Sequence, residues 1–345
     1  MVHLQNEINE QPDVIRTLLQ EESAHAAKIA RAIRDFEPTF VLIAARGTSD
    51  NAGRYAQYLM SIQARLPVAL ATPSVHTLYE APPKLSRALV VGISQSGQSP
   101  DIGQVVKDAQ SQGALAVSIT NNADSPLAKS ADYHLYLHAG LERSVAATKT
   151  YTTELTAVAM LTTALVGNEA LSEQLSTLPQ KMKETLLLSE KIIQWVERYR
   201  YMERIAVIGR GYNYCTAYEI SLKLKELCYL TGQEYSEADF RHGPIAVVEQ
   251  GFPVLTVTPK GKTSPVLVDL LKQLKERKAE SLIVSNDPDA YALAQNTMYL
   301  PENLPEWLSP ICAVVPGQVF ARHLAEVKGY PLDEPRGLTK VTLTV

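Results

Sequence analysis

Along this chain, short apolar runs alternate with longer stretches in which apolar residues recur every three or four positions. The runs are Phe40–Ala44, Ala88–Ile93, Leu115–Ile119 and Tyr133–Leu137, then Arg204–Ile208, Pro253–Val257, Ser281–Ser285 and Met298–Leu300. Compact apolar runs without strict alternation predict strands covered on both faces, and helical stretches between them predict parallel βαβ units. The opening segment to about residue 36 and the stretch Ser172–Arg200 carry the helical period. In the latter, Leu187, Ile192, Ile193 and Trp195 make an apolar side. The expected fold is α/β, with two tandem doubly wound parallel-sheet lobes. The expected boundaries are a helical segment over 1–36, a first lobe over 37–168, a helical connector over 169–200, a second lobe over 201–325 and a tail over 326–345.

The pattern repeats itself. FVLIAARGTSDNAGRYAQYLM from Phe40 and RIAVIGRGYNYCTAYEISLKL from Arg204 each run from an apolar strand through Arg-Gly and a polar turn into a helical pattern. Gly47 and Gly211 lie 164 positions apart, and the same offset sets Gly97 against Gly261 and Ser99 against Thr263. A constant offset across two motifs predicts a duplicated module.

Composition narrows the picture. A chain of 345 residues with 46% hydrophobic and 20% charged residues reads as a globular protein of two domains. No apolar run is long enough for a membrane span, and MVHLQNEINEQPD has no signal-peptide pattern. Cys215, Cys228 and Cys312 are odd in number and far apart, which fits a reducing cytoplasm rather than a disulfide framework. A net charge of −4 with no basic block argues against nucleic acid as a partner. His134 and His138 in YHLYLH fall on a strand with no third ligand nearby, so neither a metal nor another cofactor is expected.

Chemistry is expected at the strand ends, because ligands of open parallel sheets bind beyond the carboxyl ends of the strands. The run ending at Ile93 delivers Ser94, Gln95, Ser96, Gly97, Gln98 and Ser99, and the run ending at Ala44 delivers Gly47, Thr48 and Ser49. Ser99-Pro100-Asp101 reads as a helix start, with serine as N-cap and proline at the first helical position. Hydroxyls and backbone N–H groups at a helix N-terminus can hold a phosphate without a cation. A turn that only caps a helix uses the same residue types. The second polar loop at the same sheet edge favours the phosphate site.

VGISQSGQSPD, TNNADSPLAKSAD and RSVAATKTYTTEL together resemble the sugar-phosphate-binding SIS module. The segment Ala217–Glu249 and the tail PRGLTKVTLTV resemble the isomerase region of glutamine–fructose-6-phosphate aminotransferases. The resemblance spans nearly the whole chain and implies two SIS-type lobes acting on a phosphorylated hexose or hexosamine. It implies that Glu226 moves a proton between C1 and C2, that His242 opens the sugar ring, and that Lys340 forms a Schiff base with the open-chain ketose. It also implies substrate contacts at Val145 and Ala146, a tail closing the site, and a homodimer whose active sites are shared through His242. On spacing alone, Glu219, Lys223 and Glu226 fall on one helical stripe, which is also how a solvated salt-bridge face reads. With the resemblance they join the substrate site.

The departures are specific. Arg46 stands where the aminotransferases have cysteine, Ala147 where they have serine and Thr339 where they have alanine. No glutaminase segment is expected ahead of the isomerase-like part, so the expected reaction is release of ammonia, glucosamine 6-phosphate giving fructose 6-phosphate. The alternatives are a fructosamine-phosphate deglycase, an aldose–ketose phosphate isomerase, or a non-catalytic phosphosugar-binding regulator.

Overall fold

The structure, a computed structural model, describes residues 2–340; Val341–Val345, the end of the expected tail, lie outside the described residues. Within the described residues the chain forms two compact units. The first lobe comprises residues 10–142, 149–179 and 339–340, and the second comprises 2–9, 143–148 and 180–338.

The first lobe contains β1 (Phe40–Ala44), β2 (Val68–Leu70), β3 (Ala88–Ser94), β4 (Leu115–Thr120) and β5 (Tyr133–Tyr136) in the order β2-β1-β3-β4-β5. The second contains β6 (Arg204–Gly209), β7 (Thr231–Ser236), β8 (Pro253–Val257), β9 (Glu280–Ser285) and β10 (Asn296–Tyr299) in the order β10-β9-β8-β6-β7. All pairings are parallel. Read from the other edge, the second order is the first, and each strand starts 163 to 165 positions after its counterpart. The duplicated module is therefore present strand for strand.

All eight expected strands form. β3, β8 and β9 are buried at every residue because helices cover both faces of each sheet. In the first lobe Val90, Val105, Val106 and Leu127 share one core, and in the second Ile208, Leu267, Leu271 and Ile283 share another. β2 and β7 were not expected. β2 is only three residues long, and the polar TGQEYS of β7 has no apolar run to read.

The N-terminal helical expectation holds as two helices, His3–Asn9 and Gln11–Phe36. The stretch expected as one connector helix breaks into Glu169–Ser176 and Leu178–Ser189, followed by 3₁₀ turns over Glu190–Gln194 and Val196–Tyr199. Its expected apolar side is corrected accordingly, because Ile192 is buried while Leu187 and Ile193 are exposed. Where the backbone tightens to three residues per turn, a 3.6-residue stripe no longer stays on one face. No helix among the described residues is long and apolar enough to cross a membrane.

Candidate active site

In a sheet of order 2-1-3-4-5, the strand order reverses between β1 and β3, and the crevice beyond that point is the ordinary ligand site. The two polar loops leave from these strands. After β1, Arg46 is extended and Gly47 takes a φ of 54°, so the chain turns sharply into the helix Gly47–Gln63. After β3, the serine loop turns at Gly97, whose φ is 64°. A Cβ there would lie 2.1 Å from the hydroxyl of Ser125, so only glycine fits.

Ser94 and Ser96 shape this loop from within. Ser94 Oγ accepts from Gly97 N at 3.1 Å, and Ser96 Oγ accepts from Gln98 N at 3.3 Å. Ser99 is the N-cap of the helix Pro100–Ser111, as expected, but its hydroxyl makes no capping bond to the helix. Ser49 behaves differently. It is buried and donates to the buried carboxylate of Glu154 at 2.7 Å, while Gly47 is exposed and Thr48 half-buried at the head of its helix.

A cavity of about 440 Å³ opens against the serine loop, lined in part by Gln95, Ser96, Gln98, Glu142 and Lys340. The Lys340 amine donates to Glu142 Oε2 at 2.9 Å. That carboxylate is fully buried and also accepts from Gln95 Nε2 at 2.9 Å and from Thr150 Oγ1 at 2.6 Å. One buried glutamate thus links the serine loop, the helix Lys149–Val166 and the lysine near the end of the chain. The sequence reading missed Glu142, although a signal was there: the 164-residue offset also sets Glu142 against Glu306.

The sequence also left the serine loop without a cation. The structure supplies one nearby, because Arg46 Nε donates at 2.8 Å to Asp101, a buried carboxylate in the first turn of the serine-capped helix. Arg46 therefore stands at the head of that helix with its side chain half exposed.

In the second lobe the helix Tyr214–Cys228 carries an ion-pair chain. Lys223 Nζ lies 2.5 Å from Glu226 Oε2 and 3.3 Å from Glu219 Oε1. Glu219 and Lys223 are buried, and Glu226 keeps 21% of its side chain exposed, so it is the end of the chain that a substrate can reach. Burial works against the charge on Lys223, but the two carboxylates outweigh it and hold its ammonium above the usual lysine range. A solvated salt-bridge face does not describe this stripe. The helix packs closely on Ser309–Val327 because Gly317 leaves room for Ile220, where a Cβ would sit 2.4 Å from Ile220 Cγ1.

His242 ends the short helix Glu237–Arg241 and is exposed, outside that ion-pair chain. Ala146 is buried, and Val145 donates its backbone N–H to Asp333 O at 3.1 Å. Asp333 in turn accepts from the backbone N–H groups of His3 and Leu4, which pins residues near 333 in place. Among the described residues no group of three or more His, Cys, Asp or Glu is placed to hold a metal ion. His134 Nε2 is bonded to Thr120 Oγ1 at 2.9 Å, and His138 Nε2 to Glu22 at 2.8 Å.

A family model described as the SIS domain matches residues 39–164 and 199–328. The glutamine–fructose-6-phosphate aminotransferase (isomerizing) of Pyrococcus horikoshii is 34% identical over 340 residues, covering 97% of this chain and 56% of its own length. That of Thermus thermophilus is 32% identical over 352 residues, covering 98% and 58%. The chain thus spans a little over half the length of these curated relatives. Among solved structures, the C-terminal domain of glucosamine-fructose-6-phosphate aminotransferase from Francisella tularensis matches with a TM-score of 0.88 at 26% identity, covering 97% of this chain and 98% of that one. Glucosamine-6-phosphate deaminase from Thermotoga maritima matches with a TM-score of 0.79 at 20% identity, covering 99% and 100%, a likeness of fold alone.

Proposed function

The chain belongs to the SIS-domain family, and on that premise we propose that it is a phosphosugar isomerase and deaminase. Its leading reaction is glucosamine 6-phosphate plus water giving fructose 6-phosphate plus ammonia. The observation that carries this reading is the Lys340 amine in the cavity of the serine loop, held there by the buried Glu142. A loop of neutral donors at a helix N-terminus suits a phosphate, and an amine in the same cavity suits a carbonyl carbon.

In this reading the serine loop holds the phosphate and His242 opens the ring by moving a proton between the anomeric hydroxyl and the ring oxygen. Glu226 takes the proton from C2 and returns it to C1, which turns the amino aldehyde into a C2 imine. Lys340 adds to C2 and ammonia leaves; water then breaks the lysine Schiff base and frees the ketose. Lys223, buried between Glu219 and Glu226, is poorly placed for that nucleophilic role, whereas Lys340 keeps 25% of its side chain exposed and lines the cavity.

The test is a coupled assay that follows ammonia and ketose phosphate together across hexosamine, fructosamine and hexose phosphates. The expected outcome is equal amounts of ammonia and fructose 6-phosphate from glucosamine 6-phosphate. Ketose phosphate formed from an aldose phosphate alone would replace this with a simple isomerase. Binding without turnover of any of them would make the protein a sensor.

A further inference from the structure

We propose that the second lobe carries a counterpart of the anion cradle and that the carboxylate of Glu306 keeps it filled, so that each chain takes one phosphosugar rather than two. The inference rests on reading the serine loop as the phosphate site of the first lobe.

The two cradles correspond part by part. Arg210 follows β6 as Arg46 follows β1; both are extended, and the glycines after them, Gly211 and Gly47, have φ of 60° and 54°. The loop after β8 ends at Thr263, the N-cap of the helix Ser264–Glu276, as Ser99 ends the loop after β3. Ser125 and Asp287 each cap the next short helix with a side-chain oxygen, and each precedes a proline.

The difference lies in what fills the cradle. Glu306 Oε1 accepts from Thr263 N at 3.3 Å and from Thr263 Oγ1 at 3.4 Å. A Cβ built on Gly261 would lie 2.3 Å from Glu306 Cδ and 2.6 Å from its Oε1, so the carboxylate rests directly on the glycine of the loop. An anion is therefore already seated at this helix N-terminus, and it belongs to the chain itself. Lys260 and Lys262, both exposed, flank the same glycine and add positive charge. The contacts are long for hydrogen bonds, but a tethered group competes at an effective concentration in the millimolar range or above. Glu142, the counterpart of Glu306, holds Lys340 instead.

Calorimetric titration of the full chain with glucitol 6-phosphate, a hexitol phosphate with no carbonyl to isomerise, and separately with inorganic phosphate tests the proposal. The parent should bind one glucitol 6-phosphate per chain, and Ser99→Ala should weaken that binding. Glu306→Ala should bind two, the second insensitive to Ser99→Ala, with inorganic phosphate competing for both. A folded Glu306→Ala protein that still binds one would overturn the proposal. A parent that binds none, beside a Glu306→Ala protein that gains one, would sink the serine-loop reading and leave the plug standing. Thermal unfolding gives a check that needs no ligand. Gly261→Ala should lower the melting temperature in the parent, where the new methyl meets the carboxylate, and far less in Glu306→Ala. Equal losses in both backgrounds would take Glu306 off the loop and end the proposal.

Discussion

At the scale of single residues, the serine loop was legible because it breaks a rule: a buried strand ended in six consecutive polar or glycine positions. Its internal bonds were not legible. Ser94 and Ser96 accept from the loop's own N–H groups, whereas the hydroxyl of Ser99 makes no capping bond. Ser96→Ala and Ser99→Ala should each weaken phosphosugar binding by about 1–3 kcal/mol, the cost of a polar partner left unpaired, and should barely change binding of the sugar without phosphate. Unchanged phosphosugar affinity in both, measured by calorimetry, would reduce the loop to a helix cap. The repeat offset marks Glu142 by setting it against Glu306, but its role depends on Lys340, almost two hundred positions away, and that was not legible. Glu142→Gln keeps the shape but loses the charge that orients the amine. It should lower kcat about tenfold to a hundredfold with little change in KM, and reduce the adduct trapped on Lys340 by borohydride with ketose phosphate. An unaltered kcat and adduct yield would make the pair structural.

At the scale of elements, strands buried on both faces announce themselves, and all eight expected runs formed. β2 and β7 did not, because a three-residue strand is too short to stand out and a polar one carries no apolar run. The helix Tyr214–Cys228 shows the opposite limit. Its spacing put Glu219, Lys223 and Glu226 on one stripe, but only packing revealed that Lys223 is fully buried between two carboxylates. Lys223→Met would leave those carboxylates facing each other in a dry environment. Breaking a buried pair from one side costs about 3–5 kcal/mol, which denaturant unfolding can read; a loss below about 1 kcal/mol, the level of a surface pair, would contradict this burial. The pH dependence has a definite sign. Lys223 is held above its ordinary value, so its contribution is fully present below the unfolded lysine pKa of about 10.4. Above that pH the folded chain binds more protons than the unfolded one, and stability falls as pH rises. The alkaline fall should be shallower in Lys223→Met.

At the scale of the whole molecule, the repeat was the most legible feature, since an offset read from a few glycines and hydroxyls recurs in every strand of both sheets. What a monomer's sequence says least about is a second copy. His242 is exposed at the end of its short helix, whereas the resemblance gives it a task in ring opening inside a neighbour's site. An exposed His242 fits that expected task when a partner chain covers it. Glu226, by contrast, is tied to the ion-pair chain of its own helix. If each site takes Glu226 from one chain and His242 from the other, a His242→Ala protein and a Glu226→Gln protein are each inactive alone but complementary together. Random exchange between equal amounts should make half the dimers mixed, each with one intact site, and restore about a quarter of the parent activity, as two-fold symmetry requires. The measurement is turnover against mixing ratio, with subunit exchange followed by native mass spectrometry. Full exchange without recovered turnover would place His242 in its own chain's site or outside the reaction.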